Sequence, residues 1–243
     1  MPSSAASSHH AEYAGHQLQQ FFPSWQIQTE SVTDSPSWAI VKKAEAWPAD
    51  LAVVGAQGHS VLDQVYLGSV SQMVTTHVPC SVRVGRSNLH AVGDPLHLLI
   101  GYDGSAHADK VVEAVANRQW PAGSQVDLIT AIDPLLSTIN PWSIPGLFTW
   151  LRGNPTDIFA TVESWGTKMA HGAASTLHAR GLTVETVIRH GDPKTILMEA
   201  AEQRQADCLF VGARGLSHFE RMLLGSVSTA VVAHAPCSVE IVR

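Results

Sequence analysis

Along the second half of the chain, apolar and polar positions alternate between two periods. ADCLFVG (206–212) is a short continuous apolar run, suited to a strand buried on both faces. A glycine loop follows it. SVSTAVVAHA (226–235) sets Val227, Val231 and Val232 at helical spacing and ends before Pro236, and CSVEIVR (237–243) puts Val239 and Ile241 on one face, as a strand does. Upstream, residues 97–105 read as an apolar strand ending in a Tyr102-Asp103-Gly104-Ser105 turn. Ala106 to Trp120 reads as a helix, 125–133 as a strand, Thr161 to Arg180 as a long helix and 182–190 as a strand. Gly191-Asp192-Pro193 opens a further helix through Gln203. The order β-α-β-α-β-α-β-α-β predicts an α/β fold with a parallel, doubly wound sheet. Ligands of such sheets sit beyond the carboxyl ends of the strands, where strand order reverses.

The first half repeats part of this pattern. Residues 49–86 align without gaps to 206–243 at an offset of 157, with 19 of 38 positions identical. Unrelated segments of ordinary composition would share roughly two. LGSVS recurs at 67–71 and 224–228, and PCSV at 79–82 and 236–239. Before Asp50 there is room for a helix (about His9 to Phe22), a strand (about Trp25 to Val32) and a helix opening at Pro36, which aligns with Pro193. The first strand, first helix and second strand have no counterpart. The expected organisation is a truncated domain over 1–86, a polar Gly/Pro-bearing linker over 87–95 and a complete domain over 96–243. The short first copy is either genuine or reflects a start placed too far downstream.

Composition narrows the function classes. The net charge of −6 argues against a nucleic-acid binder, which needs a basic stripe. No apolar run has membrane-spanning length, and Met1 to His10 lacks the pattern of a signal peptide, so a cytoplasmic location is expected. Cys80, Cys208 and Cys237 have neither disulfide-scaffold nor zinc spacing and read as small buried hydrophobes. The 13 histidines form no metal motif; His77 and His234 sit near helix ends, where they suit last-turn carbonyls.

The chemistry-bearing feature is Gly212-x2-Gly215-x9-Gly225-Ser226. Glycines at the strand end allow positive φ and close backbone approach. Gly225-Ser226 opens a helix whose unbonded N–H groups and positive dipole end favour an anion. Ser226 is placed to cap that helix or to reach a phosphate oxygen. A tight turn and a plain helix start would explain one such loop; two copies at identical spacing weaken that explanation. The Gly-Lys-Ser/Thr of a P-loop is absent.

At VGARG (211–215), LLGSVS (223–228), HAPCSV (234–239) and YDGS (102–105) the chain resembles universal stress proteins. The resemblance covers about 95–243 as a full domain and about 8–86 as a truncated one. It implies a five-stranded parallel sheet in order 3-2-1-4-5 and membership of the branch that binds ATP. It places Asp103 near the adenosine, Ala131 or Ile132 against adenine and Val211 beside it. Gly212, Gly215, Gly225 and Ser226 would hold ribose and phosphates, with Val227 and Ser228 adding amides or a hydroxyl. Gly101 departs from the proline that the family often has. Arg214 is either a phosphate partner or a solvated surface arginine. In the first copy, Gly55, Gly58, Gly68 and Ser69 match the loop, but nothing matches Asp103. The resemblance also implies antiparallel pairing of the final strands, 80–84 with 237–242, here within one molecule, because a like edge satisfies the unpaired groups of a sheet edge. Strand 51–55 would then keep an open edge that invites self-association.

The expected function is an ATP-binding stress-response or signalling module, with or without Mg²⁺, having little hydrolysis and an unidentified protein partner. The alternatives are a slow ATP hydrolase, and an interaction module whose first copy has lost nucleotide binding. Segment 134–152, with Trp142, Leu147, Phe148 and Trp150, reads as an insert packed on its own domain, or else as a lid over the nucleotide or a partner surface.

Overall fold

The computed structural model describes residues 4–57, 67–86, 91, 93–133, 158–216 and 224–243, the side chains of 4–8 and 158–161 excepted. The elements of the first copy are α1 (Ser4–Phe21), α2 (Pro36–Ala46), β1 (Leu51–Gly55), α3 (Ser69–His77) and β2 (Ser81–Gly85). Those of the second begin with β3 (His97–Gly101), α4 (Ala106–Ala116), β4 (Gln125–Ile132), α5 (Ile158–His178) and β5 (Thr183–His190). They continue with α6 (Pro193–Gln203), β6 (Cys208–Gly212), α7 (Ser226–His234) and β7 (Ser238–Val242).

These seven strands join one sheet in the order β1-β2-β7-β6-β3-β4-β5. Every neighbouring pair is parallel except β2 with β7. The second copy thus has the expected 3-2-1-4-5 order, and the two copies meet through their last strands. Strand order reverses between β3 and β6, which lie side by side with Leu98 opposite Cys208 and Ile100 opposite Phe210.

Local chemistry sets the helix starts. Ser105 caps α4 by accepting the Ala108 N–H at 3.2 Å. Asp192 caps α6 by accepting the Thr195 N–H at 3.1 Å, with Pro193 just inside the helix. Apolar positions then divide the helices between the two faces of the sheet. One face carries α2, α3, α6 and α7, so that Val41 and Val74 of the first copy share a core with Leu197 and Val231 of the second. The other face carries α4 and α5, which bury Leu98, Ile100, Leu128 and Phe210. Full burial of a side chain such as Phe210 contributes about 1.5–3 kcal/mol.

One sequence expectation fails here. Residues 25–32 form no strand. Their counterpart in the second copy is β5, which pairs only with β4, register Gln125 to Thr183 through Ile132 to His190. Among the described residues the first copy has no strand equivalent to β4, so this stretch has no partner there to supply ladder hydrogen bonds. It lies instead against α1, where a Cβ on Gly15 would approach Thr29 to 2.6 Å. Segment 134–152 and Gly58 lie outside the described residues.

Candidate functional site

A cleft of about 280 Å³ opens at the carboxyl ends of β3 and β6, where the strand order reverses. Its inner wall is apolar: Ile129, Ala131, Leu197 and Val211, closed at the base by Gly101. Its mouth is polar: Asp103, Asp133, Arg214, Ser226 and Ser228, with Gly212, Gly215 and Gly225 between them. Of the residues singled out from sequence in the second copy, Asp103, Ala131, Val211, Gly212, Gly215, Gly225, Ser226, Val227 and Ser228 all line this cleft. Of the two alternatives at the end of β4, Ala131 faces the cleft and Ile132 is buried in the core. Gly101 is closed upon by its neighbours, since a Cβ there would lie 3.0 Å from Leu197 and 3.2 Å from Val211.

The glycines serve close approach and not unusual backbone torsion. Positive φ is found at Gly93, Gly104, Gly123, Gly181 and Gly191, and not at Gly212, Gly215 or Gly225. A Cβ on Gly215 would stand 2.5 Å from Asp103 Oδ2. A Cβ on Gly212 would stand 2.9 Å from His107 Cβ and 3.0 Å from the His107 backbone, so this glycine lets the first turn of α4 rest on the end of β6. Gly225 has only ordinary contacts, the nearest being Ala213 O at 3.4 Å, and its opening faces the cleft.

Asp103 is the hub that joins the two strand ends. Its Oδ1 accepts the Ser105 N–H at 3.0 Å and its Oδ2 accepts the Leu216 N–H at 3.1 Å. Both oxygens are therefore engaged with backbone, one on each side of the cleft. Gly104, at φ 75°, turns the chain directly after Asp103, under the ring of Trp165, which also packs against Leu216.

The start of α7 is left open. Its N-cap is Gly225, at φ −69° and ψ 157°, with no side-chain cap, whereas α4 and α6 each carry one. Ser226 occupies the first helical position and does not cap, which corrects that part of the sequence reading. Ser228 holds the framework together: its hydroxyl donates to the Gly212 carbonyl at 2.7 Å, tying the helix to the strand end. Gly225 N–H donates to Ala213 O at 2.8 Å, and Ala213 N–H to Val242 O at 2.8 Å.

The charge around the mouth is mixed. Arg214 is exposed. His107 has its pKa held below the usual histidine value, first by burial and then by the cations Lys110 and Arg214, with Asp103 opposing. Among the described residues no group of three or more His, Cys, Asp or Glu is placed to hold a metal ion, and no helix is long and apolar enough to cross a membrane. Burial pushes the Cys208 and Cys237 thiols up to about 12 and about 11, which suits inert core residues.

Among the described residues the first copy reproduces the two ends of the loop and not the cleft. Ser71 Oγ donates to Gly55 O at 2.6 Å, Gly68 N–H to Ala56 O at 2.8 Å and Ala56 N–H to Gly85 O at 2.9 Å. The N-cap of α3 is Gly68, at φ −64° and ψ 152°, again without a side-chain cap, with Ser69 as the first helical residue. Among the described residues no strand lies beside β1 as β3 lies beside β6, because β1 pairs only with β2.

Sequence reasoning does not single out Leu197, Leu216 or His107. Leu197 follows Pro193 by one helical turn, and the i, i+4 rule places both on the cleft face of α6. Leu216 contributes a backbone N–H, and His107 contributes its Cα region to Gly212, so neither side-chain type carries a signal.

Comparison with known proteins agrees with this fold. The sequence profile of the universal stress protein family matches residues 3–86 and 96–243. A Staphylococcus haemolyticus protein carrying the family's name is 31% identical over 151 residues, 60% of this chain and 84% of that one. Universal stress protein YxiE of Bacillus subtilis is 25% identical over 146 residues, 60% of this chain and 97% of that one. A universal stress protein of Archaeoglobus fulgidus shares the fold across 97% of this chain and 77% of its own, with a TM-score of 0.61 at 21% identity. The two profile matches, the 3-2-1-4-5 sheet and the paired glycine loops together establish that this chain belongs to the universal stress protein family.

Proposed function

We propose that the second copy binds an adenine nucleotide, ATP, and acts as a binding module for stress response or signalling in the cytoplasm. The observation that carries this reading is the uncapped start of α7 at the mouth of an apolar cleft. A flat apolar base fits against Ile129, Ala131, Leu197 and Val211, and the N–H groups of Ser226, Val227 and Ser228 meet the anionic end. Asp103 orients the ribose side, and Arg214 is within the same mouth to pair with a phosphate. Mg²⁺, where it accompanies ATP, would ride on the phosphates.

The module binds and does not turn over rapidly. Hydrolysis needs a base aimed at water, and of the two carboxylates lining the cleft, Asp103 and Asp133, Asp103 has both oxygens engaged with backbone N–H groups. The first copy keeps half a site: Gly55, Gly68 and Ser69, with no strand among the described residues beside β1 to supply an apolar wall or an acid hub. The outer edge of β1 supports self-association. Denaturing the purified protein and identifying released nucleotide tests the ligand class, and steady turnover at ~1–10 s⁻¹ would overturn the binding-module reading.

A further inference from the structure

The antiparallel pairing of β2 with β7 sets Val82 opposite Ile241, Arg83 opposite Glu240 and Val84 opposite Val239. Under the repeat, Val82 corresponds to Val239, Val84 to Ile241 and Arg83 to Glu240. The pseudo-twofold axis therefore passes between Arg83 and Glu240, where a residue faces its own counterpart. The surrounding contacts come in matched sets. Arg86 N–H donates to Ser238 Oγ at 3.0 Å, and its counterpart Arg243 N–H donates to Ser81 Oγ at 3.3 Å. The Arg86 guanidinium binds Val232 O at the end of α7, and that of Arg243 binds Thr75 O at the end of α3. Such contacts are available to any two like edges, whether in the same chain or in two.

The axis pair is different, because the two copies carry opposite charges there. Glu240 is fully buried. Arg83 Nη2 stands 2.7 Å from its Oε2, and Arg118 Nη2 stands 2.5 Å from its Oε1. Both guanidinia lie over the Phe210 ring, at 5.6 and 5.8 Å from its centre. Pairing β2 with a second β2 would set two Arg83 side chains face to face without Glu240. Pairing β7 with a second β7 would set two buried Glu240 carboxylates face to face. Like charges directly opposite across strands are unfavourable, and each Glu240 there would keep Arg118 of its own copy but lose Arg83, one of its two guanidinium partners. We infer that the Arg83–Glu240 pair is a recognition code that makes the β7 edge select a β2 edge, in its own chain or by exchange with a second copy, and reject another β7.

The full-length variants Arg83→Glu and Glu240→Arg test this. Each alone places like charges on the axis, so amide exchange in β2 and β7 should rise together. Mixed one to one, the two chains hold the complementary edges between them. Native mass spectrometry should then show a 1:1 heterodimer at least ~10-fold above either homodimer. Wild-type protection in the single variants, or mixing that gives no heterodimer, overturns the inference. Should a single variant not fold, the triple inversion Arg83→Glu, Arg118→Glu, Glu240→Arg decides. A closed monomer with protected β2 and β7 supports the code, and an open edge contradicts it.

Discussion

The two copies of the strand–loop–helix–strand unit differ less in what they are than in what covers them. The described ends of their loops are built alike. Each opens its helix at a glycine N-cap without a side-chain cap, and each ties the helix to the strand end through a serine, Ser71 to Gly55 and Ser228 to Gly212. Their surroundings are not the same. Val53 and Phe210 occupy equivalent positions, yet Val53 is 65% exposed and Phe210 0%. In the second copy α4 and α5 cover that face, and β3 and α4 bring Asp103 to Gly215 and His107 to Gly212. A glycine loop is thus a local property of a short sequence, whereas the cleft is a property of its neighbours.

The sharpest way to break this comparison is to fill the loops one at a time. Gly215→Val with Gly225→Val should weaken ATP binding by at least ~100-fold, about 2.7 kcal/mol, measured by calorimetry on variants that remain folded by circular dichroism. Gly68→Val in the first copy should leave the affinity unchanged. Equal losses from both substitutions would mean that the two loops form one site.

Stability offers the next contrast. Phe210→Ala should cost about 3–5 kcal/mol in urea unfolding, since it empties a filled core beside Trp120 and two guanidinia. Val53→Ala should stay within about 0.5 kcal/mol, because its side chain is largely in solvent. The serine ties should behave alike in both copies. Ser71→Ala and Ser228→Ala each leave a carbonyl without its hydroxyl donor, at about 1–3 kcal/mol. A tie that mattered in only one copy would show that the loops are not equivalent.

A smaller effect belongs to the second copy alone. The folded pKa of His107 is lowered, so the unfolded chain binds this proton more readily than the folded one. Stability from this group is fully present above the ordinary histidine value of 6.5 and is lost as pH falls through it toward the lower folded value. His107→Asn should flatten that part of the pH–stability curve. Bound phosphates should raise the His107 pKa, visible by NMR titration with and without ATP. The smallest effect expected is at β1. Concentration-dependent self-association should appear in sedimentation and should fall with Val53→Lys, which places a charge beside the open edge.

Much of this is legible in the sequence, for identifiable reasons. The strands and helices of the second copy are strongly periodic, and Pro193, Ser105 and Asp192 mark helix starts by their own chemistry. The edge pairing follows from the family resemblance and the repeat, because equivalent last strands offer equivalent unpaired groups. Residues 25–32 carry an apolar pattern that suits a strand, but strand formation depends on a neighbour that this copy lacks. The strand-end glycines suggest torsional devices by their type alone, yet Gly215 and Gly212 are fixed by atoms more than 100 positions away, on Asp103 and His107. The fit between Arg83 and Glu240 needs the register, which periodicity does not supply. The role of segment 134–152 lies outside the described residues.

The most direct test of the asymmetry between the copies is the number of ATP molecules bound per chain, measured by equilibrium dialysis at saturating nucleotide. One per chain is the expected result, lost with Gly215→Val and kept with Gly68→Val. Two per chain would show that the first copy completes a site without β3, and none would show that the open start of α7 is not a nucleotide site.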